Sequence, residues 1–315
     1  MASDANTMNF QTLTPKMALQ LAAPHTWPAA ILPTLIATCA AASIKHVCSV
    51  SASIVCLIIV ILMQSAVNTF NDYYDYVKGT DSESDNVDPS DAVLVYNNIN
   101  PRDALFLAIG MLISAFVLGL YIIFRAGITP FVIALIGALF VVVYSAGKTP
   151  VSYLPVGEII SGVVMGGLIP LATYLAITLE LNFIVLIWCL PTIIGIGLIM
   201  LTNNTCDIER DIPANRKTLS VLIGRGNAVR LYHIALALMI ISILANTAVF
   251  FTQGLIVSPF MLLAAYPSTK ALLANPLTQG TRQQAMSQIL GINVTYCAFY
   301  AASIALNGIW LSTIL

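Results

Sequence analysis

Residues 54–81 read IVCLIIVILMQSAVNTFNDYYDYVKGTD. The segment continues an uncharged apolar run that begins at Val50, and it closes in carboxylates. Seven of the chain's fourteen acidic residues fall between Asp72 and Asp91. About 20 apolar residues carry a helix across the hydrocarbon core of a bilayer, and residues 50–72 meet that length. A carboxylate at bilayer depth costs at least roughly 2.5–3.5 kcal/mol. Acids crowded at the end of such a helix therefore call for a cation.

The rest of the chain is of the same kind. Its 315 residues are 58% hydrophobic and 9% charged, with mean hydropathy +0.89, where a soluble domain carries about 25% charged residues. Too little polar surface remains to cover a water-soluble core, so the sequence reads as a polytopic protein with the lipid bilayer as its medium. Windows of about 20 residues predict an all-α fold of nine transmembrane helices, at 24–44, 50–72, 103–124, 129–146, 157–178, 183–205, 228–250, 254–273 and 287–312, forming one domain over 1–315. The gaps at 125–128 and 179–182 are tight turns, whereas 73–102 and 206–227 are long and polar. With a cytoplasmic N-terminus, the inside segments hold eleven Lys and Arg residues and the outside segments only Lys45 and Arg125. That positive-inside bias sets the C-terminus outside the cell membrane and both polar loops on the cytoplasmic face.

Smaller features are structural. No basic stretch precedes an apolar one at the N-terminus, so the first span serves as the entry signal. The six cysteines form no CxxC pair and act as small hydrophobes. Gly162 and Gly166 have the spacing of close helix packing. Pro170, Pro191 and Pro259 punctuate spans, where neighbouring helices can satisfy the backbone groups they release. A net charge of −1 argues against a nucleic-acid partner, and nothing points to a protein partner.

The acidic device occurs twice. Asp72 and Asp75 are three apart, Asp207 and Asp211 four apart, and each pair shares a helix face. Asn68, Asn71 and Asn203 each precede an aspartate by four, which closes span 2 and span 6 in the same pattern. Two such devices suggest paired half-sites facing one cavity. Oxygen ligands without nearby His or Cys favour a hard ion, and Mg²⁺ takes a few carboxylates together with waters and substrate phosphate. The four aspartates therefore suggest a Mg²⁺–diphosphate site, with Lys78, Lys148, Arg210, Arg216 and Lys217 available for the remaining phosphate oxygens.

These residues resemble the UbiA-type intramembrane prenyltransferase superfamily, whose members carry an NDxxD-like motif after helix 2 and a DxxxD motif after helix 6. The resemblance covers essentially the whole chain. NDYYDYVKGTD, YSAGKTPVSYLPVGE (144–158) and NNTCDIERD followed by TLSVLIG look like the branch that prenylates 1,4-dihydroxy-2-naphthoate in menaquinone synthesis. The resemblance implies a helical bundle around a central cavity open to lipid. It implies Asp72, Asp75, Asp207 and Asp211 as Mg²⁺ ligands, and Asn68, Asn71, Lys78, Lys148, Asn204 and Arg216 on the diphosphate. Tyr144 and Tyr153 match tyrosines near the reacting centre. The substrates would be a polyprenyl diphosphate and an aromatic acceptor.

The chain departs from that pattern where members usually have Arg: here stand Ala23, Asp91, Cys206 and Leu222, and Asp88 replaces a common Gly. Two readings follow. One is a working transferase with a different acceptor or compensating contacts; the other is a diverged paralogue that binds quinone or isoprenoid without turnover. A transporter would set its acids near the midplane at broken helices. A CDP-alcohol phosphotransferase would need a D-G-x-x-A-R core, which is absent.

Overall fold

The computed structural model describes residues 10–79, 92–145 and 150–314. In chain order the helices are α1 (Pro15–Ala22), α2 (Pro28–Lys45), α3 (Val50–Lys78), α4 (Val93–Tyr96), α5 (Pro101–Ala126), α6 (Thr129–Ser145), α7 (Gly157–Val163), α8 (Ile169–Thr178), α9 (Ile184–Trp188), α10 (Leu190–Cys206), α11 (Ile208–Asp211), α12 (Leu219–Ile223), α13 (Arg225–Phe250), α14 (Ser258–Leu273) and α15 (Arg282–Ile314). The fold is all-α. Among the described residues, seven helical stretches are long and apolar enough to cross a membrane, and two shorter apolar helices, Thr129–Tyr144 and Leu190–Cys206, occupy the remaining predicted windows. All nine windows thus fall on helices, and seven reach full span length.

Proline accounts for the sixth window. Pro191 sits in the first turn of α10, where its missing N–H costs nothing. The window 183–205 therefore divides into α9 and α10. Pro170 acts differently. It follows a π-helical turn, Val164–Leu168, that joins α7 to α8. Having no N–H, it cannot bond the Gly166 carbonyl four residues back. The Thr192 hydroxyl of α10 donates to that carbonyl at 2.9 Å. A neighbouring helix thus satisfies what the proline releases.

The chain divides into two compact units, residues 1–27 with 61–116 and residues 28–60 with 117–315. In the first, Leu21, Val93, Leu94, Ile99 and Ala104 form a buried cluster. Trp27 Nε1 donates to the Ala22 carbonyl and to Ser65 Oγ. In the second, α10 packs against α7, α13 and α15, and α2 against α8 and α15. Its core includes Tyr174, Trp188, Phe251 and Tyr300, whose hydroxyl donates to the Trp188 carbonyl at 2.9 Å.

The glycine pair works as its spacing suggests. A Cβ on Gly166 would lie 2.5 Å from Ile193 N, and one on Gly162 would collide with the Ile193 carbonyl, so the helix axes can approach only because both side chains are absent. Large apolar side chains face outward in the same unit, among them Phe124 at 88% and Leu263 at 74% exposure. No water-soluble protein leaves such a surface uncovered on this scale. Together with the apolar helices it makes this a multi-pass membrane protein. The two cations expected outside both meet the C-terminal end of α8: Lys45 pairs with Glu180, and Arg125 donates to the Ala176 and Ile177 carbonyls.

Candidate active site

The second acidic motif is built on the end of α10. The helix stops at Asp207 (φ −98°, ψ 12°) and re-forms as the single turn α11, which ends on Asp211. Both carboxyls are buried, at 7% and 2% exposure. Asp207 Oδ2 accepts from Arg282 Nε at 3.0 Å, while Oδ1 is buried with no hydrogen-bond partner among the described residues. Asp211 accepts from Thr218 Oγ1 at 3.4 Å and pairs with Arg216 at 3.5 Å. Burial pushes the Asp211 carboxyl above the usual carboxylate range; Arg216 opposes that shift and Asp207 adds to it. Each of the two buried carboxylates thus faces one guanidinium, Arg282 at Asp207 and Arg216 at Asp211.

Around it the chain gathers further groups. Asn215 adopts a left-handed conformation (φ 55°), and the next residue, Arg216, bonds back to the Asp211 carbonyl. Its guanidinium lies 4.6 Å from the centroid of the Tyr153 ring, a cation–π contact, and its Nε is buried without a partner among the described residues. Lys217 N donates to the Tyr153 carbonyl, so the 3₁₀ turn Val151–Tyr153 is tied to the same loop. Tyr144 lies beside Gly157, where an added Cβ would sit 3.7 Å from its hydroxyl. Asn204 donates to Glu158 Oε1 at 2.8 Å. Outside this cluster, Glu209 takes a bidentate pair from Arg225 at 2.6 and 2.7 Å, which holds its carboxyl down at about 2.

The first motif lies in the other unit, on α3. Here α3 runs past the predicted window to Lys78, so Asp75 is helical along with Asn68, Asn71 and Asp72. Asn68 Nδ2 donates to the Ala22 carbonyl and to Thr26 Oγ1 at 3.0 and 2.8 Å. Asp72 is 7% exposed and accepts from Val93 N at 2.8 Å and Leu94 N at 3.2 Å, capping the short helix α4. Asn71 and Asp75 are half-buried. Of the remaining expected residues, Lys148, Asp88 and Asp91 lie outside the described residues, as does the side chain of Lys78.

Sequence reasoning missed two side chains. Arg282, the first residue of α15, grips Asp207 through Nε and Asn203 Oδ1 through Nη2 at 2.7 Å, although 75 and 79 positions separate it from them. No motif links it to the aspartates. Glu158 had a signal: it is the only acid in the window 157–178.

The residues present fit a hard divalent cation bound with an anionic ligand. Among the described residues no three His, Cys, Asp or Glu side chains cluster as a closed metal cage. Mg²⁺ does not require one, since it takes one or two carboxylates and completes its shell with water and phosphate oxygens. The unpartnered acceptor at Asp207 Oδ1 suits the cation, and the unpartnered donor at Arg216 Nε suits the anion.

The chain is similar to known proteins. The chain is 34% identical over 212 residues to the 1,4-dihydroxy-2-naphthoate octaprenyltransferase of Bacillus subtilis, covering 67% of each chain. A solved UbiA homolog from Archaeoglobus fulgidus superposes with a TM-score of 0.64 at 17% identity, over 92% of this chain and 99% of that one. A structure of a UbiA homolog from the same organism bound to GPP and Mg²⁺ gives 0.62 at 18% identity, over 92% and 99%. The model of the UbiA prenyltransferase family matches residues 30–310, a range that includes both acidic motifs. The chain therefore belongs to the UbiA prenyltransferase family.

Proposed function

We propose that this protein transfers a polyprenyl group from polyprenyl diphosphate to an aromatic acceptor, 1,4-dihydroxy-2-naphthoate, in a Mg²⁺-dependent reaction of menaquinone synthesis. The observation that carries this reading is the buried, unpartnered Oδ1 of Asp207 beside Asp211, with the unpartnered Arg216 Nε in the adjoining loop. The relatedness to a naphthoate octaprenyltransferase supports the choice of acceptor. The chain acts as one catalytic domain, since the family match runs through both units. The excess of Lys and Arg on one set of loops orients it N-terminus inside and C-terminus outside the cell membrane.

In this reading Asp72, Asp75, Asp207 and Asp211 hold Mg²⁺. When bound, the metal supplies Lewis-acid stabilisation of the charge that develops on the departing diphosphate. Arg216, with Lys148, Lys78 and the asparagine amides, orients the diphosphate oxygens and shares that charge. Tyr153 steadies Arg216 through its ring face. Tyr144 and Tyr153 present aromatic faces where an allylic cation forms, and the apolar surroundings keep water from capturing it.

One observation favours the second reading, a paralogue that binds isoprenoid without turnover. Arg282 already pairs with Asp207, and Cys206 and Leu222 stand where the family resemblance leads one to expect Arg. Mass spectrometry of products from purified protein, Mg²⁺, polyprenyl diphosphate and dihydroxynaphthoate decides between them. Prenylated product together with pyrophosphate release, both absent in Asp207→Asn, is the expected result. No product across several donors and acceptors would establish the paralogue reading.

A further inference from the structure

Glu158 is the second residue of α7 and is 5% exposed. Its Oε1 accepts from Asn204 Nδ2 at 2.8 Å, and its Oε2 is buried with no hydrogen-bond partner among the described residues. The side chain stands on a rigid element. A Cβ on Gly197 of α10 would lie 3.2 Å from the Glu158 carbonyl oxygen, and Gly162 and Gly166 pack the rest of the helix against the Ile193 backbone. This close packing fixes the backbone from which Oε2 projects. An acceptor buried and held empty-handed costs free energy, and in a membrane-spanning segment such a group marks a ligand site by default.

Its position says which ligand. Asn204 precedes Asp207 by three residues on α10, a displacement of about 4.5 Å along a helix axis. Glu158, bonded to Asn204, therefore lies roughly one turn deeper along α10 than Asp207, which the prenyl-transfer reading assigns to Mg²⁺ beside the diphosphate. In a prenyl diphosphate the reacting carbon is bonded directly to the diphosphate oxygen. The attacking ring must sit at that depth, and Tyr144 beside Gly157 supplies an aromatic wall there. What an electron-rich dihydroxylated ring offers a carboxylate is its hydroxyl.

We propose that Glu158 Oε2 accepts the ring hydroxyl of the aromatic acceptor and takes its proton as the new carbon–carbon bond forms. The inference rests on the prenyl-transfer reading. The C–O bond of the prenyl diphosphate breaks, and its electron pair leaves with the diphosphate. The ring's π pair forms the bond to the prenyl carbon, the O–H pair becomes the C=O of a ketone tautomer, and the proton passes to Glu158. Loss of carbon dioxide from a carboxylate on the attacked carbon returns a pair to the ring. The oxygen then recovers its proton from Glu158, which ends the cycle ionised as it began.

The test compares wild type, Glu158→Gln and Glu158→Asp in nanodiscs, with dihydroxynaphthoate and its hydroxyl methyl ethers as probes. Thermal stabilisation by Mg²⁺ and prenyl diphosphate should be equal in all three, which checks folding and the donor site. In Glu158→Gln, kcat/KM for the acceptor should fall 100-fold or more, with partial recovery in Glu158→Asp. Wild type should reject one methyl ether at least 10-fold against the parent ring, and Glu158→Gln should not. A variant within twofold of wild type, equal discrimination by both proteins, or loss of donor stabilisation would overturn the inference. If wild type makes no product, the prenyl-transfer reading fails. Calorimetric binding of the ring and its ethers to wild type alone then decides this one: equal binding of all rings overturns it.

Discussion

At the scale of single residues, the second motif is a balance of charge that sequence shows only in part. Asp207 and Asp211 announce themselves by spacing, but the cation that holds Asp207 does not, because Arg282 arrives from the start of a different helix. Hydrogen bonds to charged groups contribute about 1.5–3 kcal/mol. Arg282→Ala should therefore destabilise the metal-free protein by about 2 kcal/mol, read as a lower Tm in detergent, and added Mg²⁺ should recover part of the loss. Arg282→Lys should not restore it, since an ammonium cannot serve Asp207 and Asn203 together as the guanidinium fork does. Glu209 provides the pH test. Arg225 holds its carboxyl down to about 2 from an ordinary 4.5, so the unfolded chain binds the proton first. The stability this pair adds is complete above 4.5 and is lost as pH falls towards 2. Because Glu209 is more than half exposed, the contribution is under about 1 kcal/mol. Glu209→Gln should lower the Tm slightly at neutral pH and match wild type near pH 2; an unchanged difference across that range would contradict the assignment.

At the scale of elements, the apolar windows were legible because composition alone fixes where a chain can lie in lipid. Their edges were not. Helix α3 outruns its window because Asp72 and Asn68 find partners at Val93, Leu94, Ala22 and Thr26, so its polar end need not unwind. Helix α15 begins at Arg282 instead of 287, because its first polar turn is fastened to Asp207 and Asn203. A hydropathy window cannot see either bond. What local sequence did expose was the small-residue seam. Gly166→Ala would press a methyl to 2.5 Å from Ile193 N, and backbone cannot yield there. Overpacking of this kind costs about 1–3 kcal/mol. Gly291→Ala, on α15 with nothing within 4 Å of the added carbon, should cost nothing and gain up to about 1 kcal/mol. Thermal denaturation of the two variants should separate them in opposite directions; similar losses would show that the α7–α10 seam is not the constraint.

At the scale of the whole molecule, the question is whether two acidic motifs, 135 residues apart from Asp72 to Asp207, serve one ligand. Sequence proposed this from a repeated pattern, and no pattern can establish convergence, which depends on how distant segments pack. Each motif has been built differently: Asp72 spends hydrogen bonds on α4, while Asp207 keeps an oxygen in reserve. Linkage supplies a test that needs no turnover. A ligand that binds only the folded protein stabilises it by about 2.7 kcal/mol at 100 times its Kd. Mg²⁺ with a non-hydrolysable prenyl diphosphate analogue should raise the Tm accordingly, and either component alone should do far less, because each completes the other's coordination. Asp75→Asn and Asp207→Asn should each abolish most of that rise, and the double variant should lose no more than the worse single one. Groups that hold one ligand together fail together, whereas independent sites would lose their contributions additively. Additive losses, or a rise that survives Asp75→Asn, would mean that the two motifs bind separately and that the shared diphosphate site does not exist.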